Sequence, residues 1–307
     1  MMSKSLEGGQ EVPELVSVKR IWDSSHHNAF TDLIRFRGEW LCVFRQATAH
    51  ETPDGTIRVL TSSDGDTWKS VAVVSEQGID LRDPKLSITP DGRLMLLMGG
   101  SIYEGGEYLT RAPRVSFSQN GLDWAAPKRL LAEDHWLWRA TWHEGRAYSL
   151  SKLGEGDGPR RGFLYSSTDG IEWEWMTEFK IPGVSETTLR FMPNGDMVAL
   201  IRPKYIGWSQ KPYRDWTFTD LKVTIGGPNF VQLPNASLWA TARYSTDQGP
   251  QTVLARMTKT SFEPMLALPS GGDCSYAGMV WHDDLLWISY YSSHEDGTNI
   301  YLAKVSF

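Results

Sequence analysis

The sequence predicts an all-β fold, a six-bladed β-propeller with four-stranded antiparallel blades. Three observations carry that prediction. A turn motif recurs at long, regular spacing. Six segments repeat one order of strand, tight turn and apolar strand. A spare strand near the N-terminus completes the last segment.

The motif is Ser-x-Asp/Asn-Gly-x-x-Trp, at residues 62–68, 118–124 and 167–173, and its tryptophans lie 56 and 49 residues apart. Recurrence at so long a period marks a repeat architecture. Asp or Asn before Gly lets the backbone reach φ > 0, and the Asx side chain can cap its own backbone two residues on. Strand-like runs precede each turn (57–61, 114–117, 162–165) and follow it (70–74, 128–131, 176–179). Each motif therefore joins two strands of a hairpin.

The six segments begin near Asn28, Arg82, Arg139, Glu186, Asn229 and Tyr276. Tight turns such as Pro90-Asp91-Gly92 and Pro193-Asn194-Gly195 follow, and then apolar strands such as 94–98, 197–201 and 285–290. The mean period of about 51 residues suits four strands and their loops. After Tyr276 only three strands fit before Phe307, and residues 15–22 supply the fourth. Closing the ring this way leaves no long sheet edge open. Residues 1–307 are expected to form one propeller domain, with 1–11 disordered.

Composition narrows the partners. The net charge is −6 with no basic stripe, which argues against nucleic acid. No apolar run approaches a membrane span. Cys42 and Cys274 are too few for a disulfide framework and read as buried thiols. The first residues hold no signal-peptide core. A cytoplasmic protein is expected, or a secreted or periplasmic one if an export signal precedes this start. The 14 tryptophans exceed what the turns use, so some are available to a pocket. Residues 154–158 are Gly-rich but precede no helix, so they are not a phosphate loop. His26 and His27 with His50 lack a third ligand at dependable spacing. Neither cofactor nor metal is expected.

In a propeller, one end of the ring gathers the entries to the innermost strands and the exits of the second strands. The Ser-x-Asp/Asn-Gly-x-x-Trp turns fall at the other end and read as structural. The functional face then collects His26, His27, Asn28, Arg82, Asp83, Trp138, Arg139, Glu186, Asn229, Asp273 and Tyr276 from the entries. The exits add Arg45, His50, Glu51, Tyr103, Glu104, Lys152, Arg202, Lys204, Arg243, Tyr291 and His294. Arg45, Arg82, Arg139, Arg202 and Arg243 come from five different repeats, with Arg35 a sixth if the register slips. Guanidinium groups converging on one axial pocket suit a carboxylate held bidentately.

These residues resemble the sialidase (neuraminidase) superfamily. The recurrent turns are similar to that family's Asp-boxes, or BNR repeats. Glu186, with Arg202 sixteen residues on, resembles the family's glutamate and following arginine. Arg243 falls where another carboxylate-binding arginine is expected. Cys274-Ser275-Tyr276-Ala277-Gly278 resembles the segment of the nucleophilic tyrosine. The resemblance implies Tyr276 as nucleophile and Glu186 as its base, an exception to the two-carboxylate rule of glycosidases.

The chain departs from the family in two places. The aromatic-Arg-Ile-Pro signature of the first blade is absent, and its nearest echo is Arg82-Asp83-Pro84 one blade later. The acid/base aspartate is expected in a first-blade loop, where Asp54, Glu51 and His50 stand. His50 and Asp54 are taken as acid/base candidates. Arg45, Arg82, Asp83, Arg139, Arg202, Arg243, His27 and Trp138 are the candidate substrate contacts. The expected activity is that of an exo-α-sialidase-like retaining glycosidase on a sialic or uronic-type sugar. A polysaccharide lyase, a glycosidase of other specificity and a non-catalytic sugar-binding propeller stay open.

Overall fold

The computed structural model describes residues 12–154 and 159–307. The expected disorder of 1–11 and most of the Gly-rich loop lie outside these residues. The chain forms a six-bladed propeller of four-stranded antiparallel blades. Its first strand, β1 (Glu14–Trp22), is set aside for the last blade. Blade 1 holds β2 (His27–Phe36), β3 (Glu39–Ala47), β4 (Thr56–Ser62) and β5 (Lys69–Val74). Blade 2 holds β6 (Asp80–Ile88), β7 (Leu94–Glu104), β8 (Glu107–Ser118) and β9 (Lys128–Arg129). In blade 3 the innermost strand is broken into β10 (His135–Leu137) and β11 (Thr141–His143). Both pieces pair with β12 (Arg146–Leu153), which is followed by β13 (Arg161–Ser167) and β14 (Glu174–Phe179). Blade 4 holds β15 (Thr187–Phe191), β16 (Met197–Ile201), β17 (Tyr205–Ser209) and β18 (Thr217–Asp220). Blade 5 holds β19 (Gly226–Gln232), β20 (Leu238–Thr246), β21 (Gly249–Met257) and β22 (Phe262–Ala267). Blade 6 holds β23 (Cys274–His282), β24 (Leu285–Glu295) and β25 (Gly297–Ser306). The spare strand β1 pairs antiparallel with β25, so the ring closes as the sequence predicts.

Alternating strands place apolar side chains on both faces of each blade, and the blades stack on them. An apolar cluster fills each junction between neighbours. Val43, Val59, Leu86 and Leu96 lie between blades 1 and 2. Ala240, Phe230, Val198 and Leu200 lie between blades 4 and 5. The closing junction, blade 6 on blade 1, is the most aromatic, with Trp40, Phe44, Tyr276, Trp287 and Tyr291.

The recurrent turns are built as their residues suggest. Ser62 Oγ accepts from the Gly65 N–H at 2.8 Å, and Asp64 Oδ1 accepts from the Asp66 and Thr67 N–H groups. Gly65, Gly121 and Gly170 have φ of 73°, 77° and 77°, which favours glycine. Each Trp Nε1–H donates back to the glycine carbonyl. A fourth turn of this kind has no signature in the sequence: Trp216 Nε1 donates to the carbonyl of Tyr213, whose φ is 64°. Tyr213 replaces the glycine, and Ser209 stands one residue farther back. Register puts the turns on the far face, since Ser62 opposes Trp40 at the start of β3, while Thr56 opposes Gln46 near its end. Ser62→Ala leaves the buried Gly65 N–H without its acceptor. It is expected to lower stability by about 1–3 kcal/mol. An unchanged urea midpoint would show that the hydroxyl is dispensable.

Beneath the functional face a buried polar network ties the innermost strands together. Asp32 Oδ2 accepts from Arg139 Nη1 and from the Leu86 N–H, both at 2.7 Å. Lys85 Nζ donates to the Thr31 carbonyl, and Thr31 Oγ1 to that of Tyr276, both at 3.0 Å. Arg190 reaches Asn229, and Asn229 reaches the Ala277 carbonyl. This closes the axis below the pocket.

Candidate active site

Four innermost strands carry a β-bulge at the same level. The register shifts between Ala29 and Asp32, Arg82 and Lys85, Gly226 and Asn229, and Ser275 and Gly278. At these bulges Phe30, Asp83, Gly227 and Tyr276 have φ of 60°, 50°, 56° and 52°. A bulge re-aims a side chain out of the sheet's alternation. Phe30, Asp83 and Tyr276 thereby line an axial pocket of about 600 Å³. Gly227 has no side chain, and a Cβ there would stand 2.5 Å from the Tyr276 ring. Glycine at this bulge is what lets Tyr276 lie where it does.

Tyr276 is buried and fixed by its neighbours. Phe30, Trp138 and Tyr291 pack their rings on it at 5.1, 5.8 and 5.9 Å, and the Arg243 guanidinium lies 5.6 Å from its ring centroid. Its hydroxyl donates to Glu186 Oε1 at 2.8 Å. Arg202 Nη1 donates to the same Oε1 at 2.6 Å and to the Tyr276 hydroxyl at 3.1 Å. Glu186 Oε2 accepts from the Gly227 N–H at 2.9 Å. Burial pushes the Glu186 carboxyl up, but the Arg202 charge and the three donors outweigh it and hold it below its ordinary value. Burial, and then the Glu186 charge, push Tyr276 well above the ordinary phenol range. The resting pair is thus a neutral phenol bonded to a carboxylate. Asp83 lines the pocket from blade 2, and burial raises its carboxyl against the pull of Arg82 and Lys85. Its Oδ1 has no hydrogen-bond partner among the described residues.

Of the expected site residues, Glu186, Tyr276, His50, Arg82, Asp83, Arg202 and Trp138 line this one pocket. Five do not. Arg45 is fully buried in the blade, donating to Asp80 at 2.8 Å and to the carbonyls of Ala49 and Thr52, so it braces the β3–β4 loop. Arg139 belongs to the Asp32 network under the pocket. Asp54 accepts from the Thr48 N–H and hydroxyl and serves its turn. Arg243 spends a donor on Asp273 Oδ1 at 3.0 Å and backs Tyr276. His27 is buried, 3.3 Å from Asp273 Oδ2.

Asp273 joins residues far apart in the chain. His50 Nδ1 lies 2.6 Å from its Oδ2, and Tyr291 donates to its Oδ1 at 2.7 Å. Burial works against this carboxylate, but His27, His50 and Tyr291 hold it well below the usual range. His27, His50 and Asp273 are the residues here that could hold a metal. The Arg243 cation on the same carboxylate opposes a second positive charge there. Lys152 and Arg111 also line the pocket. Lys152 is legible in the sequence as a strand exit, whereas Arg111, on the third strand of blade 2, is not.

No protein-family profile and no curated protein sequence matches this chain. Solved structures resemble it in fold. A Dyadobacter fermentans protein of unknown function shares 18% identity at a TM-score of 0.85, over 96% of this chain and 99% of that one. Trypanosoma rangeli sialidase in complex with the inhibitor DANA shares 13% at 0.72, over 94% of this chain. The match spans 58% of that sialidase chain. Penicillium chrysogenum α-L-arabinanase complexed with arabinobiose shares 13% at 0.71, over 95% and 98%. At such identities the likeness shows the fold, which this chain shares with glycoside hydrolase propellers.

Proposed function

We propose that the chain is a sialidase-like retaining exo-glycosidase acting on an anionic sugar in the axial pocket. The observation that carries this reading is the Tyr276 hydroxyl bonded to Glu186, with Arg202 bridging both, in a pocket closed beneath by the buried axial network. Tyr276 Oη attacks the anomeric carbon as its proton passes to Glu186 Oε1. The bond to the leaving oxygen breaks, and that oxygen takes a proton from Asp83. Water then attacks the same carbon and gives its proton to Asp83. The glycosyl–tyrosine bond breaks, and Tyr276 recovers its proton from Glu186. Two inversions give net retention. Because the Glu186 charge opposes a free phenolate, proton transfer and attack are coupled. His50, backed by Asp273, is the second group able to carry the leaving-group proton.

Fluorogenic sialosides, uronides and neutral glycosides are the test. Release from an anionic glycoside is expected. Its 2- or 3-fluoro analogue should leave a glycosyl adduct on the Tyr276 peptide, read by mass spectrometry. An unsaturated uronate product would identify a lyase instead. Binding without release from any glycoside would leave a sugar-binding propeller.

A further inference from the structure

Asp273 is a meeting point of three blades. It stands just before β23, and its carboxylate faces His27 at the start of β2, His50 in the β3–β4 loop, Arg243 on β20 and Tyr291 on β24. Arg243 at 3.0 Å stabilises its charged form, and an ionised carboxylate can only accept. His50 Nδ1, 2.6 Å from Oδ2, is therefore the nitrogen that carries the proton of the neutral ring. Nε2 is left as a bare acceptor.

The ring is fixed from several directions. His27 and Phe30 meet it edge-on, both at 5.3 Å between ring centres. The carbonyls of Ala49 and Thr52, on either side of it in the chain, accept from the fully buried Arg45. Asp54 ties down Thr48 of the same loop. Yet the imidazole is half exposed and lines the pocket, and its Nε2 bonds to none of the described residues. Phe30 also packs on Tyr276 at 5.1 Å, so His50 stands one ring away from the Tyr276 side chain. The carboxylates of Glu51, Glu107 and Glu186 line this pocket too. A bare imidazole nitrogen differs from them in accepting a hydrogen bond without a negative charge, so it can take a hydroxyl of an anionic sugar without repelling the anion.

We infer that His50 is a specificity-determining residue whose Nε2 accepts from a hydroxyl of the bound sugar, and that Asp273 is the positioning residue that holds its ring in the Nδ1–H form. This rests on the pocket being the sugar site, but not on the chemistry assigned to Tyr276. In that form Nε2 has no proton to give, which leaves the leaving group to Asp83. Arg45 and Asp54, which the sequence suggested for the substrate, serve it at one remove by shaping the loop that carries His50.

Nitrogen-15 NMR of the whole chain, labelled at histidine, tests the geometry without a ligand. The His50 signals are those lost in His50→Gln. In buffer about two units above the ordinary imidazole value of about 6.5, His50 should show a protonated Nδ1 and a bare Nε2, and Asp273→Asn should lose that preference. A protonated Nε2 in the wild type would overturn the inference, whether the ring held a second proton or its Nδ1 held a metal ion. An Asp273→Asn protein that kept the preference would remove Asp273 from the positioning role. N-acetylneuraminate, D-glucuronate and D-glucose are then added in turn. At least one should shift the Nε2 resonance, and if none does the inference fails. For that sugar, calorimetry should show His50→Phe, which keeps a ring and loses the acceptor, weakening binding about tenfold. His50→Gln, which sets an amide oxygen near the place of Nε2, should keep most of the affinity. Equal affinity in His50→Phe and wild type would overturn the inference as well. Both variants change a half-exposed side chain, so the test stands even if Asp273→Asn does not fold. If no glycoside is hydrolysed while a sugar still shifts Nε2, the hydrolase reading fails and this one stands. If an anionic glycoside is hydrolysed with the same KM by wild type and His50→Phe, the reverse is true.

Discussion

Tyr276→Phe is expected to lower turnover of a responsive glycoside by about 10³-fold or more while changing its affinity by less than about threefold. The substitution removes one oxygen and keeps the ring. The ring is what Phe30, Trp138 and Tyr291 pack against, so the wall of the pocket should hold its shape. What is lost is the group bonded to Glu186 at 2.8 Å. Glu186→Gln should be severe too, by about 10²–10³-fold, since it removes the base and the anion that anchors Arg202. The two act as a unit, so the double variant should be little worse than Tyr276→Phe alone. Steady-state kinetics beside calorimetry check all three. A Tyr276→Phe protein keeping a tenth or more of wild-type turnover would mean that another atom attacks the sugar.

That pair is legible in the sequence because the propeller repeats. The Ser-x-Asp/Asn-Gly-x-x-Trp turns mark the third-to-fourth strand junctions of the first three blades, and carrying the same strand order forward through the later segments puts Glu186, Arg202 and Tyr276 at the other end of the ring. The residues that sequence reasoning misplaces share a physical cause. Position along a strand says which end a residue is near, but not whether it points up the axis or sideways between blades. Arg45 lies near the correct end of β3 and turns sideways to Asp80. Arg139 sits at the break in the innermost strand of blade 3 and turns down to Asp32.

The pocket residues that the sequence hides have two other sources. The β7–β8 hairpin runs on to Glu104 and Glu107, farther than a blade requires, and this extension brings Arg111 of a third strand to the pocket. The Gly105-Gly106 tip is the available signal. The other source is the bulge. A residue such as Asp83 that leaves strand alternation, with φ of 50°, has no periodic signature, so its direction is seen only in three dimensions.

Asp83 then governs the second large effect, because it has the environment that a general acid needs. An acid must enter the reaction protonated, and burial raises the Asp83 carboxyl above its ordinary value of 3.8. A base must enter ionised, and Arg202 with three donors holds Glu186 below its ordinary value of 4.5. The signs are opposite, and so are the limbs they control. Activity should fall as pH drops through the lowered value of Glu186, which becomes protonated and can no longer accept from Tyr276. It should also fall as pH rises through the raised value of Asp83, which loses the proton that the leaving group needs. The predicted profile is a bell whose basic limb belongs to a carboxyl. Asp83→Ala should cut turnover of alkyl glycosides by about 10²–10⁴-fold. It should spare the first step for aryl glycosides whose leaving group departs without a proton, so that these accumulate glycosyl-enzyme, and added azide should restore turnover by replacing water. The basic limb should vanish in that variant and persist in His50→Ala. If the limb instead follows His50, the Asp273-backed imidazole is the acid and Asp83 is a neutral wall of the pocket.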